Sequence, residues 1–201
     1  MRRKHNEVKD QKEIQRILSL TNIGRLSTNG IDGYPYITPV NFVFNNGNVY
    51  FHCAPKGEKL DNLTRDPHVC FEVDAPLSYL DIDSYPDRPI CQLHQFYHCV
   101  IIRGSASVVN DSAKKAAVLN ALITKHENTE DFEQVTESMP GFKACKVIEV
   151  KPATITAKSD LGQNIPEEIR LDMVKYIANR NRPEDAETVK AMGLDLERKK
   201  F

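Results

Sequence analysis

Hydrophobic and polar positions alternate through most of the first 160 residues in short runs, and the runs are separated by turn dipeptides. Asp10-Gln-Lys-Glu13 has the form of a capping box, with Ile14, Ile17 and Leu18 following at helical spacing. This predicts a helix over residues 10–20 that Gly24 brings to an end. Gly24-Arg-Leu-Ser-Thr28 reads as a strand, bounded by Asn29-Gly30 and Asp32-Gly33. Tyr36 to Phe44 is rich in β-branched and aromatic residues. Asn45-Asn46-Gly47 then turns the chain into Asn48-Val-Tyr-Phe-His52, which predicts a hairpin.

Residues 57–63 read as one or two helical turns, stopped near Asp66-Pro67, and Val69 to Val73 resumes the strand pattern. Residues 74–95, with three prolines and several aspartates, read as a long loop in which Asp74, Asp81, Asp83 and Asp87 form a solvated lid or dimer edge. Tyr97 to Val109 is the longest strand, and Gly104 inside it implies a bulge or a close backbone approach. A helix capped at Asn110 or Asp111 runs to His126, burying Ala117, Leu119, Leu122 and Ile123. Strands 146–150 and 153–157, split by Lys151-Pro152, end the β pattern. Beyond Pro166 the period becomes helical, with Ile169, Met173, Tyr176 and Ile177 on one face, a break at Arg182-Pro183 and a stop at Gly193.

These elements predict a mainly β, α+β fold: a six-stranded antiparallel split β-barrel over 1–157, followed by a helical extension over 158–201. The 201 residues suffice for one core and an appendage. Lys+Arg 27 against Asp+Glu 28 leaves a net charge of -1, so no basic field draws nucleic acid or an anionic membrane. The longest apolar runs fall short of the roughly 18 residues a span needs, and the polar start predicts a cytoplasmic protein. Five cysteines without a CxxC pair fit reduced thiols.

Four stretches in order carry a resemblance: Gly24 to Thr28, Pro35-Tyr-Ile-Thr-Pro-Val-Asn-Phe42, Tyr50-Phe-His-Cys-Ala-Pro-Lys-Gly-Glu-Lys-Leu-Asp-Asn-Leu63, and Tyr97-His-Cys-Val-Ile-Ile-Arg-Gly104. Together they resemble the flavin-binding half of the pyridoxamine 5'-phosphate oxidase-like superfamily. His52 and Gly57-x-Lys59-x-x-Asn62 are most similar to its Nim-type, nitroimidazole-resistance branch. The resemblance implies a homodimer with FMN, or FAD, in the groove between two barrels. It sets Thr38, Pro39, Val40 and Asn41 beside the isoalloxazine ring, and the segment from His52, Cys53 and Ala54 through Gly57, Lys59, Leu60 and Asn62 at the ribityl chain and phosphate. It brings His98 and Cys99 from the neighbouring subunit. The activity it implies is electron transfer to a small acceptor, with His52 as the catalytic side chain.

The residues support that assignment chemically. A phosphate needs backbone N–H donors and a cation, and Gly57 entering a helical turn beside Lys56 and Lys59 offers both. A histidine such as His52 hydrogen-bonds or moves a proton near neutral pH, although a plain packing or capping role is equally compatible with its place at a strand end. Because a flavin carries the electron chemistry itself, no catalytic triad is required. The cluster Cys91-x-x-His94-x-x-x-His98-Cys99 has the side chains for zinc or haem. In an extended strand, however, His94 and His98 share a face and Cys99 takes the other, so no metal site is expected there. The alternative function is a non-catalytic flavin- or haem-binding module. The basic residues that hold the substrate phosphate near the C-terminus of true pyridoxamine 5'-phosphate oxidases have no counterpart among residues 158–201.

Overall fold

The computed structural model describes residues 2–84 and 93–194. Seven strands and five helices follow in the order β1 (Glu7–Val8), α1 (Gln11–Ser19), β2 (Ile23–Asn29), β3 (Pro35–Asn45), β4 (Asn48–Cys53), α2 (Glu58–Arg65), β5 (His68–Leu80), β6 (His94–Val108), α3 (Ser112–Glu127), β7 (Lys146–Asp160), α4 (Glu167–Arg180) and α5 (Asp185–Met192). The strand order is β1-β7-β4-β3-β2-β5-β6, and β6 also pairs with β7. Six strands therefore close on themselves, which is the split-barrel topology the sequence predicts and leaves the long strands without free edges.

The chain divides into two units. The first, residues 10–73 and 100–156, holds the hairpins. The β3–β4 turn forms because Asn46 and Gly47 both take positive φ, +48° and +79°, the geometry that suits the twist of a tight hairpin. Its register pairs Phe42 with Phe51 and Asn45 with Asn48. Phe42, Phe51 and Phe71 are fully buried, each contributing ~1.5–3 kcal/mol by leaving water. The Phe42 and Phe71 rings meet edge to face, with centroids 5.1 Å apart.

Gly24 does not end the first helix, which stops at Ser19. It lies inside β2, where a Cβ would sit 2.1 Å from Cζ of Phe71, so glycine is required there for ring packing. Asp10 caps α1 through the Lys12 N–H, but Glu13 turns to Arg16 instead of reaching back, so only half of the capping box forms. Gly104 marks a close backbone approach, because a Cβ there would lie 2.0 Å from the Lys151 carbonyl oxygen. Helix α3 is capped by Asp111 and buries Val118 and Leu122, while Ala117 faces solvent. Strand β7 runs unbroken through Pro152, whose partly covered position in the strand does not interrupt the pairing on either side.

The second unit comprises residues 1–9, 74–99 and 157–201. Here the expected loop at 74–95 is corrected in part. Strand β5 continues through Pro76 to Leu80, and residues 82–84 make one 3-10 turn; Asp87 lies outside the described residues. The extension beyond residue 158 does not stand alone as a helical appendage. Met173, Val174, Ile177 and Met192 share a core with Leu77, Leu80 and Phe96. Asp81 is no lid residue either. It accepts from Tyr176 Oη at 2.7 Å and from Arg180 Nη1 at 2.9 Å, and pairs with Arg182 at 3.0 Å. The buried Asp185 accepts from Arg180 at 2.6 Å, from Ser78 Oγ at 2.5 Å and from the Arg182 N–H at 2.7 Å. Burial alone would raise the Asp185 carboxyl, but these donors outweigh it and hold its pKa down to about 2.

Candidate functional site

The residues expected around a flavin fall into two groups. Thr38, Pro39, Val40 and Asn41 lie on β3, His52 and Cys53 end β4, and Ala54 leads through Gly57 into α2 with Lys59, Leu60 and Asn62. All belong to the first unit. Carrying the antiparallel register one step beyond the Phe42–Phe51 pair sets Asn41 beside His52. His98 and Cys99 lie on β6 in the second unit and are buried within it, with His98 Nδ1 2.6 Å from Ser159 Oγ.

The turn between β4 and α2 has the makings of an anion site. Gly57 takes φ +139°, a conformation that side chains avoid, and no side chain caps α2, so its first amides are not consumed by a capping group. Lys59 sits half-exposed on the first turn. Its charge lowers the Cys53 thiol, although burial dominates and raises it. Asn62 is a positioning residue: fully covered, it donates to Thr28 Oγ1 at 3.1 Å and accepts from Arg65, tying α2 to β2. On β3, Thr38 Oγ1 is buried without a partner.

A cavity of about 840 Å³ opens beside His52. Its walls come from Asn41 and His52 on the sheet, from Leu119, Leu122, Ile123 and His126 on α3, and from Val135, Met139, Phe142 and Cys145 on the following segment. The His52 side chain is exposed into this region. Sequence reading took His126 only as a helix end, yet its ring lines the cavity wall. Burial, together with the neighbouring Lys125 charge, pushes its pKa down. The spacing Leu119, Leu122, Ile123, His126 on one helical face was the available signal.

The Cys91–Cys99 cluster is only partly within view, since Cys91 lies outside the described residues. His94 Nε2 is 3.2 Å from Asp160, and His98 is engaged by Ser159. Among the described residues, no group of three or more His, Cys, Asp or Glu side chains is arranged to hold a metal ion, and no helix is long and apolar enough to cross a membrane.

Known proteins resemble this arrangement. Among solved structures, the chain is similar to a candidate 5-nitroimidazole antibiotic resistance protein from Bacteroides thetaiotaomicron, at 22% identity and TM-score 0.64 over 76% of this chain and 86% of that one. It is similar to a flavocytochrome from Azotobacter vinelandii at 21% identity and TM-score 0.65, over 81% of this chain and 73% of that one. An FAD and heme binding protein from Mycobacterium smegmatis matches at 14% identity and TM-score 0.66, over 83% of this chain and 78% of that one. At these identities the likeness establishes the fold. No curated protein matches. A family model described as pyridoxamine 5'-phosphate oxidase matches residues 10–159, the span that carries β2 to β7 and the turn at Gly57, and the chain therefore belongs to the pyridoxamine 5'-phosphate oxidase family.

Proposed function

We propose that the chain binds FMN at the β4–α2 turn and passes electrons to a small acceptor seated beside His52, with nitro compounds of the nitroimidazole type as a test class. The observation that carries this reading is the combination at one turn of a glycine at φ +139°, an uncapped helix start and Lys59. The uncapped amides and Lys59 would take the phosphate, while the β3 backbone from Thr38 to Asn41 would lie beside the ring. FMN supplies the electron transfer. The chain's own residues bind and orient it, and His52 offers a hydrogen bond or a proton at the mouth of the cavity. FAD is accommodated in the same reading if the groove continues past the phosphate.

The likeness to flavin-binding proteins supports this proposal, as does the family. A homodimer that completes the groove belongs to the same proposal, and its mass in solution checks it. The deciding measurement is the absorption spectrum of the purified protein, with the released chromophore identified by mass. Bands near ~375 and ~450 nm from a flavin are expected. A colourless protein that also fails to bind added FMN overturns the reading, and a Soret band would move it to the haem-binding alternative. The substitution Lys59→Ala is expected to weaken FMN binding by about 5–20-fold, one charge-assisted hydrogen bond, without moving the unfolding midpoint.

A further inference from the structure

We infer that a pocket of the second unit, lined by Arg2, Arg3, Asn6, Tyr97 and Lys158, binds the phosphate group of a small phosphomonoester. It shares no residue with the β4–α2 turn, so the inference stands apart from the flavin reading.

Strand pairing brings these residues together from three distant parts of the sequence. Strand β1 lies antiparallel to β7, with Glu7 opposite Lys158 and Val8 opposite Ala157. Ahead of β1, Lys4–Asn6 makes a 3-10 turn in which the Asn6 N–H donates to the Arg3 carbonyl at 3.2 Å, and Asn6 is buried. Arg3 Nη1 lies 3.6 Å from Asp160, the last residue of β7. These contacts hold the first residues against β7, where a chain end otherwise frays. Strand β6 also pairs with β7, and Lys158 Nζ stands 4.9 Å from the centroid of the Tyr97 ring.

Charge then names the ligand. Among the described residues, the lining holds three cations and no carboxylate. Two carboxylates stand close by, and both are engaged. Asp160 is shared between Arg3 at 3.6 Å and His94 at 3.2 Å, and Glu7 pairs with Lys9 at 3.6 Å. Set against Arg2, Arg3, Lys4, Lys9 and Lys158, these two acids leave the corner positive. Like charges gathered at one pocket repel each other, and a bound anion removes that repulsion. Phosphate suits this donor set: a guanidinium fork meets its oxygens two at a time, the lysine adds a point charge, and Tyr97 carries a hydroxyl donor. The volume, about 380 Å³, is at the small end of the ~300–1,000 Å³ range of ligand sites, which suits a phosphate on a compact body.

Isothermal titration of the intact protein with glycerol 3-phosphate and with glycerol isolates the phosphate, because the two share a body and differ in that group. Binding of the ester alone is expected, weakening as salt rises. Lys158→Gln and Arg3→Gln are each expected to weaken it by about 10-fold, one charge-assisted hydrogen bond. Both side chains are at least partly exposed, so neither substitution empties a core. Lys59→Ala is expected to leave ester binding unchanged. A lipid headgroup carries the same chemistry, and sedimentation with phosphatidylcholine vesicles containing phosphatidic acid tests that source; no retention is expected. The inference is overturned if the ester does not bind, if Lys158→Gln and Arg3→Gln bind it undiminished, or if Lys59→Ala loses it. Retention on the vesicles that Lys158→Gln abolishes overturns it as well. The flavin spectrum is read separately, so failure here and failure of the proposed function are told apart.

Discussion

The two regions rich in polar side chains treat them in opposite ways. Around Asp185, in the second unit, a buried carboxylate has a guanidinium, a hydroxyl and a backbone N–H directed at it, and the guanidinium of Arg180 also holds Asp81. Around the cavity in the first unit, His126 Nε2 is buried and bonded to nothing, and on β3 Thr38 Oγ1 is left the same way. Burying a polar group is costly unless it is paired, so a complete network and an incomplete one mark different purposes. The first locks helices α4 and α5 to a strand end. The second leaves a ring nitrogen and a hydroxyl without a partner in the chain.

The sharpest way to break this comparison is Arg180→Met, which strips the cation from the buried Asp185 and the part-buried Asp81. A loss of ~3–5 kcal/mol is expected in urea unfolding of the variant, since the carboxylates are stranded and not replaced. A loss below ~1 kcal/mol would show that the network is dispensable.

Acid gives the next largest effect. The folded pKa of Asp185 is lowered to about 2, so its contribution is fully present above the ordinary carboxylate value near 4 and is lost as pH falls from there towards 2. About 2 kcal/mol of stability should disappear across that window, and Asp185→Asn should flatten the acid limb of a stability-against-pH curve.

At the first unit the effects are smaller. Asp111 accepts from the Lys114 N–H at 2.6 Å at the start of α3, the helix that walls the cavity, and Asp111→Ala is expected to cost ~1 kcal/mol in thermal unfolding. Thr38→Val is the smallest and has the opposite sign. Removing a hydroxyl that bonds nothing should leave the flavin-free protein unchanged or ~0.5–1 kcal/mol more stable. If Thr38→Val destabilises the flavin-free protein instead, the hydroxyl is structural and the contrast between the regions weakens.

Several local signals in the chain were read correctly because their cause was local. Asn46-Gly47 predicted its hairpin because the two positive φ values it needs are intrinsic to those residues. Asp111 predicted the start of α3 because a cap bonds within its own turn. The turn at Gly57 and Lys59 was legible for the same reason, as was the fold class, which follows from the spacing of short alternating runs. Resemblance added His52 and Thr38 to the candidate list.

What the sequence could not determine was set by partners far along the chain. Gly24 looked like a helix stop until the Phe71 ring was seen lying against it. Asp81 looked like a solvated acid because nothing local announces that Arg180 will reach it. The strands crossing Pro76 and Pro152 were broken in the reading since proline removes a donor, a loss that matters only where a neighbouring strand requires that donor. His126 was invisible as a site residue because its place on the cavity wall and its burial come from packing. Period, turn chemistry and capping are written in neighbouring residues, whereas pairing, desolvation and the gaps left between packed elements exist only once the chain is folded.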